Sequence, residues 1–548
     1  MSVFASLAFF ILLLSATPAA SFSTLGRKWP SGSFSFKADV ASFTLLPGAG
    51  LSQTQARWWI NYSLSQWKER TGVNLSFTYS GDFTGGDDPT NGVDDDGDGS
   101  TDEGCITTNG INEVVAGGSC ASWDPGCFTW ALVLHSWSGT SQTETDMCVF
   151  GPNDPWAVEL PVGGSDKDLI GVLVHEFGHA LGLDHTANTA MDSAAMGLGN
   201  TLARYPYGDD INGMRSVYAA EGTRSLAPHW KEYNPTTDTW SANTYGTGGT
   251  TAMNVATGFG RKNDGFDWVI MGHLGTNQQI YYRRSKVPLT SSSTWDNWTY
   301  GSSYLSWRSP AVAGRSGTSL WTMAMTNQQT TLTSPSCSGI RIWESNNGFE
   351  GVTRTDFAND CTIHQPALVW DPSSSRFVLM IVNHSNTSSN DKVFARTSTD
   401  GITWTTAQDL NEWTTDGVSL ACGAGDCLLG LARGTSNSET LVTRAFTVNA
   451  GTGAVTIGGT AIYSGTIQRT PAVGALRVSG VDRNLTVMQW SSASTDHANG
   501  RGALWSSEAG AYPPAAFSWV TGSISTDHTV ALATSPLLDE TYMFWVQP

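Results

Sequence analysis

The stretch from His175 to His185 carries the side chains with the clearest capacity for chemistry, and it reads His-Glu-Phe-Gly-His-Ala-Leu-Gly-Leu-Asp-His. On an α-helix, His175 and His179 lie four residues apart on one face, so their imidazoles can bind one Zn²⁺. Gly182 allows a sharp turn after the helix, because glycine adopts positive φ at little cost. That turn can return His185 as a third ligand. Three protein ligands leave the fourth zinc position to water, which is typical of catalytic sites.

Glu176 follows the first histidine and is not expected to bind the metal. Zinc lowers the pKa of a bound water toward neutrality, and a neighbouring carboxylate can take its proton as the water attacks a peptide carbonyl. The same carboxylate can then give that proton to the leaving amine. A bare His-Glu-x-x-His also occurs in ordinary helices, but the third histidine and the intervening glycine argue against coincidence.

The residues around this motif predict the elements that must position it. Ser165 followed by Asp168 resembles a capping box, and apolar residues then recur at helical spacing from Leu169 to Leu181. A second helix is predicted over about 53–70, with alternating, strand-like segments before and after it. Together these patterns predict an α+β domain that ends near Gly222.

The long histidine pattern resembles that of the metzincin zinc peptidases, and its flanks resemble the matrixin branch. The resemblance implies a methionine-containing turn beneath the zinc. Met196 is the first choice for this Met-turn, and Met191, which is closer to His185, is the alternative. Astacin and serralysin relatives have a tyrosine ligand two residues after that methionine. Leu198 stands there in this chain, which favours the matrixin branch.

Two further segments resemble matrixins. Asp209–Tyr218 is similar to the closing helix of their catalytic domains, and Glu144–Met147 stands where a matrixin edge strand would be. The resemblance spans roughly residues 27–222. Two features depart from the family: we find no pro-segment with a cysteine that could block the zinc, and the C-terminal part is too long for a four-bladed haemopexin domain.

An acidic insertion, residues 82–104, predicts a calcium site. The oxygen-bearing positions of an EF-hand-like loop are occupied by Asp94, Asp96, Asp98, Ser100 and Asp102. Hard carboxylate oxygens at this spacing can wrap one Ca²⁺. Cys105 stands where an EF-hand has glutamate, so the acidic repeats of extracellular calcium-binding proteins are the closer likeness. A solvated acidic loop without an ion is the alternative.

Composition and the N-terminus indicate an exported protein. Residues 1–21 combine a short apolar run with small residues, which is typical of a secretory signal peptide, although no Lys or Arg precedes the run. No later segment is long and apolar enough to span a membrane. The formal net charge of −19 argues against nucleic acid as a partner. Eight cysteines, four in each half of the chain, predict disulfides, with a local Cys422–Cys427 pair favoured over half a zinc site.

Residues 223–548 predict an all-β domain. A short apolar motif recurs every 50–60 residues, a period typical of propellers and solenoids, and its six copies are 252–256, 310–313, 366–369, 419–422, 471–474 and 529–532. Ala395–Trp404 resembles the Asp-box turn of sialidase-like propellers. We therefore predict a six-bladed β-propeller. A pair of β-sandwiches is the alternative.

The sequence thus predicts a secreted zinc endopeptidase, residues 22–222, that hydrolyses extracellular proteins. Its propeller would bind the substrate, a glycan or a cell surface. Two alternatives remain: a sialidase-like glycoside hydrolase that works through the propeller, and an adhesin that retains a relic protease. The intact Glu176 argues against the relic, since a relic has no reason to keep its base.

Overall fold

The computed structural model places most of the chain beyond the N-terminal segment. It describes residues 22–82, 110–116, 130–150, 155–158, 162–187, 189–237, 239–299, 305–333, 336–349, 352–384, 391–423, 427–435, 438–467, 469–478, 481–490, 502–509, 518–520, 525–526, 529–534 and 541–547. The predicted signal peptide and all five predicted calcium ligands lie outside these ranges. Within them, no helix is long and apolar enough to cross a membrane.

The first domain is α+β, as predicted. Its strands are Ser33–Ala38 (β1), Ser76–Asp82 (β2), Glu113–Ala116 (β3), Ala131–Ser138 (β4), Ser141–Val149 (β5), Trp156–Ala157 (β6) and Lys167–Asp168 (β7). Its α-helices are Val40–Phe43 (α1), Gln53–Thr71 (α2), Leu169–Ala180 (α3) and Asp209–Val217 (α4). Single turns of 3₁₀ helix cover Pro30–Gly32, Ser193–Met196 and Leu202–Arg204.

Five strands form one mixed sheet in the order β2-β1-β3-β5-β4. The pairs among β2, β1, β3 and β5 are parallel, and β4 runs antiparallel to β5 at the edge. The segment predicted as an edge strand, Glu144–Met147, lies in β5 and is therefore second from the edge; β4 takes the edge position. α2 and α3 pack against each other and share one apolar core with the sheet.

α3 begins differently from the sequence prediction. Asp168 is the N-cap residue, but its side chain makes no capping hydrogen bond. Its carboxylate instead accepts a hydrogen bond from Arg204 Nε at 2.8 Å, and both side chains are buried. The predicted capping box with Ser165 therefore does not form, because the acidic side chain is taken by a buried ion pair.

α2 is confirmed as a helix, with a capping box between Ser52 and Gln55. The amphipathic pattern predicts one solvent-facing side. In the structure, Trp58–Lys68 is buried throughout, including polar residues such as Asn61 and Gln66. One side of the helix meets α3, and the other meets the second domain. Its polar face is therefore an interface between domains rather than a surface.

The second domain is a β-propeller. Its strands are Ala227–Asn234 (β8), Thr239–Trp240 (β9), Tyr245–Gly246 (β10), Val255–Arg261 (β11), Asp267–Leu274 (β12), Ile280–Lys286 (β13), Asp296–Thr299 (β14), Ala311–Gly314 (β15), Trp321–Thr333 (β16), Ser336–Ser345 (β17), Thr353–Thr362 (β18), Ala367–Asp371 (β19), Arg376–Val382 (β20), Lys392–Ser398 (β21), Gln408–Trp413 (β22), Val418–Cys422 (β23), Cys427–Thr435 (β24), Ser438–Val448 (β25), Val455–Thr466 (β26), Ala472–Val478 (β27), Val481–Trp490 (β28), Gly502–Ala509 (β29), Ser518–Trp519 (β30), Ser525–Thr526 (β31), Ala531–Thr534 (β32) and Thr541–Gln547 (β33).

Five blades are built from consecutive strands: β11–β14, β15–β18, β19–β22, β23–β26, and β27–β30 with β31. The sequence predicted six such repeats. The remaining sheet is composite, in the order β10-β8-β33-β32, and joins the first strand of the domain to its last. The recurring apolar motif marks the innermost strands β11, β15, β19, β23, β27 and β32, which contact one another in a closed ring. The number of blades is therefore five from consecutive strands, and it reaches six only when the composite sheet is counted as a blade.

One turn and one disulfide that the sequence predicts for the propeller are present in the structure. In the predicted Asp-box, Asp400 Oδ1 accepts hydrogen bonds from the backbone N–H groups of Ile402 and Thr403. Cys422 and Cys427 form the predicted local disulfide. Cys361 of the propeller and Cys148 of the first domain each take part in a further disulfide.

Buried carboxylates on β3 and β5, namely Glu113, Glu144 and Asp146, predict that the stability of the first domain depends on pH. Burial, together with Glu113 and Glu144, raises the pKa of Asp146 from 3.8 to about 8. The unfolded chain therefore loses this proton before the folded chain does. The free energy of unfolding should fall between about pH 4 and pH 8, by at most about 1.4 kcal/mol per pH unit for this group.

Asp146→Asn should flatten this decline, because the amide does not ionise and still accepts the hydrogen bond from the backbone N–H of Glu113. The measurement is denaturant unfolding at several pH values between 4 and 8. Asp264→Asn is the matched control: that carboxyl is largely exposed and its pKa is lowered, so its loss should leave the decline in place. An Asp146→Asn chain that loses stability as steeply as the parent would refute the assignment.

Candidate zinc site

α3 positions two of the three predicted ligands. Its apolar residues anchor the helix in the core of the first domain, and Phe177 packs edge-on to Phe36 of β1. His175 and His179 share one face of the helix, the first fully buried and the second partly exposed. The helix ends at Ala180, and Gly182 then turns the chain at φ +98°. That turn returns His185 to the same face, as the sequence predicted.

The three imidazoles converge at metal-binding distance. One ring nitrogen from each histidine lies within 4.8 Å of the others, and His179 Nε2 is 3.3 Å from His185 Nε2. A tetrahedral zinc with Zn–N distances of about 2.0–2.1 Å holds two ligand nitrogens about 3.3 Å apart. The donor set fits zinc, because three neutral imidazoles with one open direction match a catalytic zinc site.

Backbone carbonyls orient two of these rings. His175 Nδ1 lies 2.8 Å from Ala190 O, and His179 Nδ1 lies 2.9 Å from Leu183 O. A carbonyl can only accept, so each Nδ1 carries the proton and each Nε2 presents a lone pair. His175 Nε2 is buried without a hydrogen-bond partner among the described residues. A buried ring nitrogen with an unpaired lone pair at this point fits the role of a metal ligand.

Burial keeps these ligands neutral. It lowers the pKa of His175 from 6.5 to about 3, helped by the neighbouring charges of His179 and His185. Burial also lowers the pKa of His179. Both rings are therefore unprotonated at neutral pH, which is the state that binds a metal.

Glu176 is buried one residue after the first ligand, on α3. Desolvation raises the pKa of its carboxyl from 4.5 to about 8. A divalent cation held by the three histidines would favour the ionised form, since opposite charges nearby lower a carboxyl pKa. The position is compatible with a base that acts beside the metal rather than on it.

The two methionines considered for the Met-turn differ in position. Met191 is buried and packs so closely on α3 that a Cβ added to Gly178 would lie 2.1 Å from its Sδ. Gly178 lies between the two helical ligands. Met196 is only partly buried; it packs against the edge of the same core and beside Leu202 and Ala203. The structure thus puts the alternative, Met191, beneath the histidines.

Asp210 of α4 is a supporting residue that sequence reasoning did not single out. Its buried carboxylate accepts hydrogen bonds from the backbone N–H groups of Ala190 at 2.7 Å and Tyr207 at 3.2 Å. Ala190 is the residue whose carbonyl orients His175. The available signal was the Asp209–Tyr218 segment, which resembles a matrixin helix but does not reveal this contact.

The N-terminal segment of the described chain lies along the ligand loop. Leu25 N donates to Gly182 O at 2.9 Å, and Asp184 N donates to Ser23 O at 3.1 Å. Ser23 N also donates to Thr186 Oγ1 at 3.0 Å. These contacts hold the loop that carries the third ligand from its outer side.

Comparison with known families supports the zinc motif. Residues 130–219 match the matrixin family model (Peptidase_M10, Matrixin). The match points to a metallopeptidase. It covers β4 through α4 and therefore includes all three histidines and Glu176. No curated protein matches the chain.

Several solved structures resemble the propeller. A mutant of AofleA from Arthrobotrys oligospora has 10% identity and a TM-score of 0.38, with 54% of this chain and 79% of that chain covered. An alpha-L-arabinanase from Penicillium chrysogenum has 10% identity and a TM-score of 0.36, with 54% and 93% covered. The Hadza microbial sialidase Hz136 has 12% identity and a TM-score of 0.34, with 54% and 66% covered.

Proposed function

We propose that this chain is a zinc-dependent endopeptidase of the metzincin type, with His175, His179 and His185 as the metal ligands. The observation that carries the proposal is the convergence of three imidazole nitrogens within 4.8 Å of one another, with two of them oriented by backbone carbonyls. The matrixin match over the same residues supports it.

The protein's own residues supply most of the mechanism. Glu176 takes a proton from the attacking water and returns it to the leaving amine. A bound Zn²⁺ supplies Lewis acidity, which polarises the scissile carbonyl and lowers the pKa of water. Ala190 O and Leu183 O keep the ligand rings in the required tautomer. Met191, rather than Met196, forms the Met-turn that supports them.

The edge strand β4 offers a binding surface for an extended peptide. β4 pairs with β5 on one side, and its other edge carries no strand among the described residues. β4 packs against α3, which carries two of the ligands. Burial lowers the pKa of His135 of β4 to about 4, and the nearby His179 contributes to this shift. A peptide paired along this edge would therefore run past the zinc ligands, as in β-strand addition.

The propeller acts as a binding domain for the substrate, a glycan or a surface. The glycoside hydrolase alternative requires an open mouth on the channel between the inner strands. At one end that mouth is covered by α2: Arg70 of α2 is 3.4 Å from Asp416, and Glu69 forms an ion pair with Arg469. We also propose that the protein is secreted and that residues 82–104 bind a structural calcium ion.

Removal of the metal is the direct test. The full mature chain should contain one zinc ion, cut a denatured protein substrate, and lose this activity when 1,10-phenanthroline strips the metal. Added zinc should restore it. Hydrolysis that persists in chain shown by elemental analysis to be metal-free would refute a zinc peptidase. A zinc-loaded chain that cuts no peptide would shift the function to the propeller.

A further inference from the structure

Four of the inner propeller strands are preceded by a charged or titratable residue at the same end of the ring. Arg308, His364, Asp416 and Arg469 lie two or three residues before β15, β19, β23 and β27. The repeat of the fold therefore places these side chains around one mouth of the channel. Arg308, His364 and Arg469 are buried and Asp416 is partly buried, because α2 of the first domain lies over them.

The charges at this mouth do not balance. α2 adds Glu69 and Arg70 to the cluster, so three guanidinium groups face two carboxylates. Burial would raise the pKa of Asp416, but its hydrogen bond with His364 and the charge of Arg70 lower it, so this carboxylate is ionised. Burial raises the pKa of Glu69 to about 7, despite the nearby Arg469. Three guanidinium groups against two carboxylates leave an excess of positive charge. Burial and the charge of Arg70 oppose this excess, because both lower the pKa of Arg308.

Two of the guanidinium groups have nitrogens without partners. Arg308 donates from Nε to Ile363 O at 2.9 Å and from Nη1 to Arg70 O at 3.2 Å, but its Nη2 has no partner in the described part of the chain. Arg70 donates from Nη2 to Asp416 Oδ1 at 3.4 Å, and its Nη1 is likewise unpaired among those residues. Leaving a buried charged donor without a hydrogen bond costs free energy. We therefore expect a bound ligand or water to accept hydrogen bonds from these nitrogens.

Both arginines line a cavity. It has a volume of about 130 Å³ and lies in the channel beneath α2. A second cavity of about 90 Å³ lies further along the same channel. The two are separated by a girdle with one residue from each inner strand, namely Thr257, Val312, Leu368, Leu420, Val473 and Leu532, which lines both. The two cavities therefore lie one above the other along the channel, with the arginines at the end nearest α2.

We propose that this cavity is a binding site for a small organic carboxylate, held between Arg70 of the peptidase domain and Arg308 of the propeller. The planar guanidinium presents its donors in a fork that matches carboxylate oxygens. A cavity of about 150 Å³ is known to hold benzene, so an occupant of roughly that size fits. The apolar girdle would contact its carbon skeleton. The site does not depend on the zinc chemistry.

The test uses benzoate and its neutral counterpart benzamide as probes. Calorimetric titration of the full zinc-loaded chain at constant ionic strength should give one benzoate site per chain, with benzamide at least tenfold weaker. Chain stripped of zinc should bind benzoate equally well, which separates this site from the peptidase proposal. Equal binding of the two probes, or binding of neither, would overturn the proposal and leave water as the occupant.

Substitutions at two levels of the channel, one at the arginines and one at the girdle, test where benzoate binds. Arg308→Met should weaken benzoate binding at least tenfold, whereas Arg376→Met, which removes an arginine that bonds only backbone carbonyls at the rim of a blade, should not. Because Arg308→Met removes a buried charge and could unfold the domain, Leu420→Trp provides a second route. It blocks the girdle, leaves the charged cluster intact, and should also abolish binding. Wild-type affinity in both folded variants would place the anion elsewhere.

Discussion

Replacing Glu176 with glutamine should reduce kcat/KM for peptide hydrolysis by about 10²–10⁴-fold, which is the usual contribution of a general base. The amide is nearly isosteric with the carboxylate but cannot take a proton from water. Glu176 is buried on α3 and is not one of the three converging ligands, so zinc should still bind at one ion per chain. The loss should therefore appear in kcat with the metal content unchanged.

Glu232→Gln is the matched control, because Glu232 is an exposed glutamate on β8 of the propeller. It should retain full activity on a fluorogenic peptide, and both variants should unfold at the parental temperature once loaded with zinc. A Glu176→Gln chain that binds zinc and keeps more than about a tenth of the parental kcat/KM would assign the base to another group. Loss of zinc from the variant would instead point to a ligand role.

The zinc site could be predicted from sequence because its information is local. Two ligands follow from helical spacing, and the third needs only the bend at Gly182. The groups that make the site rigid are distant in sequence or carry no pattern of their own. The orienting carbonyl of Ala190 is a backbone atom, and Asp210 reaches it from another helix. The choice between Met191 and Met196 depends on which of them packs against Gly178, and spacing does not encode that contact.

In the propeller, too, local sequence patterns could be predicted and pairings between distant segments could not. The inner strands were predicted because each repeats one apolar motif that faces the channel. The composite sheet was not predicted, because it pairs β8 with β33, two segments at opposite ends of the domain. The buried polar face of α2 has a similar explanation. Polar residues on a helix predict exposure to solvent, whereas here Ser65 and Arg70 meet Arg469 and Asp416 of the other domain.

Replacing Gly182 with alanine should have the second large effect, because two penalties fall on the turn that carries His185. The residue adopts φ +98°, which strains an L side chain. In addition, the new Cβ would lie 2.2 Å from the carbonyl oxygen of Arg27. Either the turn or the N-terminal segment that bonds to it must move. We expect zinc affinity and kcat/KM each to fall at least tenfold, and the free energy of unfolding to fall by about 2–4 kcal/mol.

Gly139→Ala separates the two penalties. Gly139 also has positive φ, +63°, but a Cβ there would meet nothing within 4 Å. Its alanine variant should therefore lose only about 1–2 kcal/mol of stability from the backbone strain and keep its zinc affinity. Equal losses in the two variants, measured by chemical unfolding and by zinc titration of the metal-free chain, would mean that strain alone explains Gly182. A larger loss at Gly182 would show that the third ligand depends on the close contact between its turn and the segment before β1.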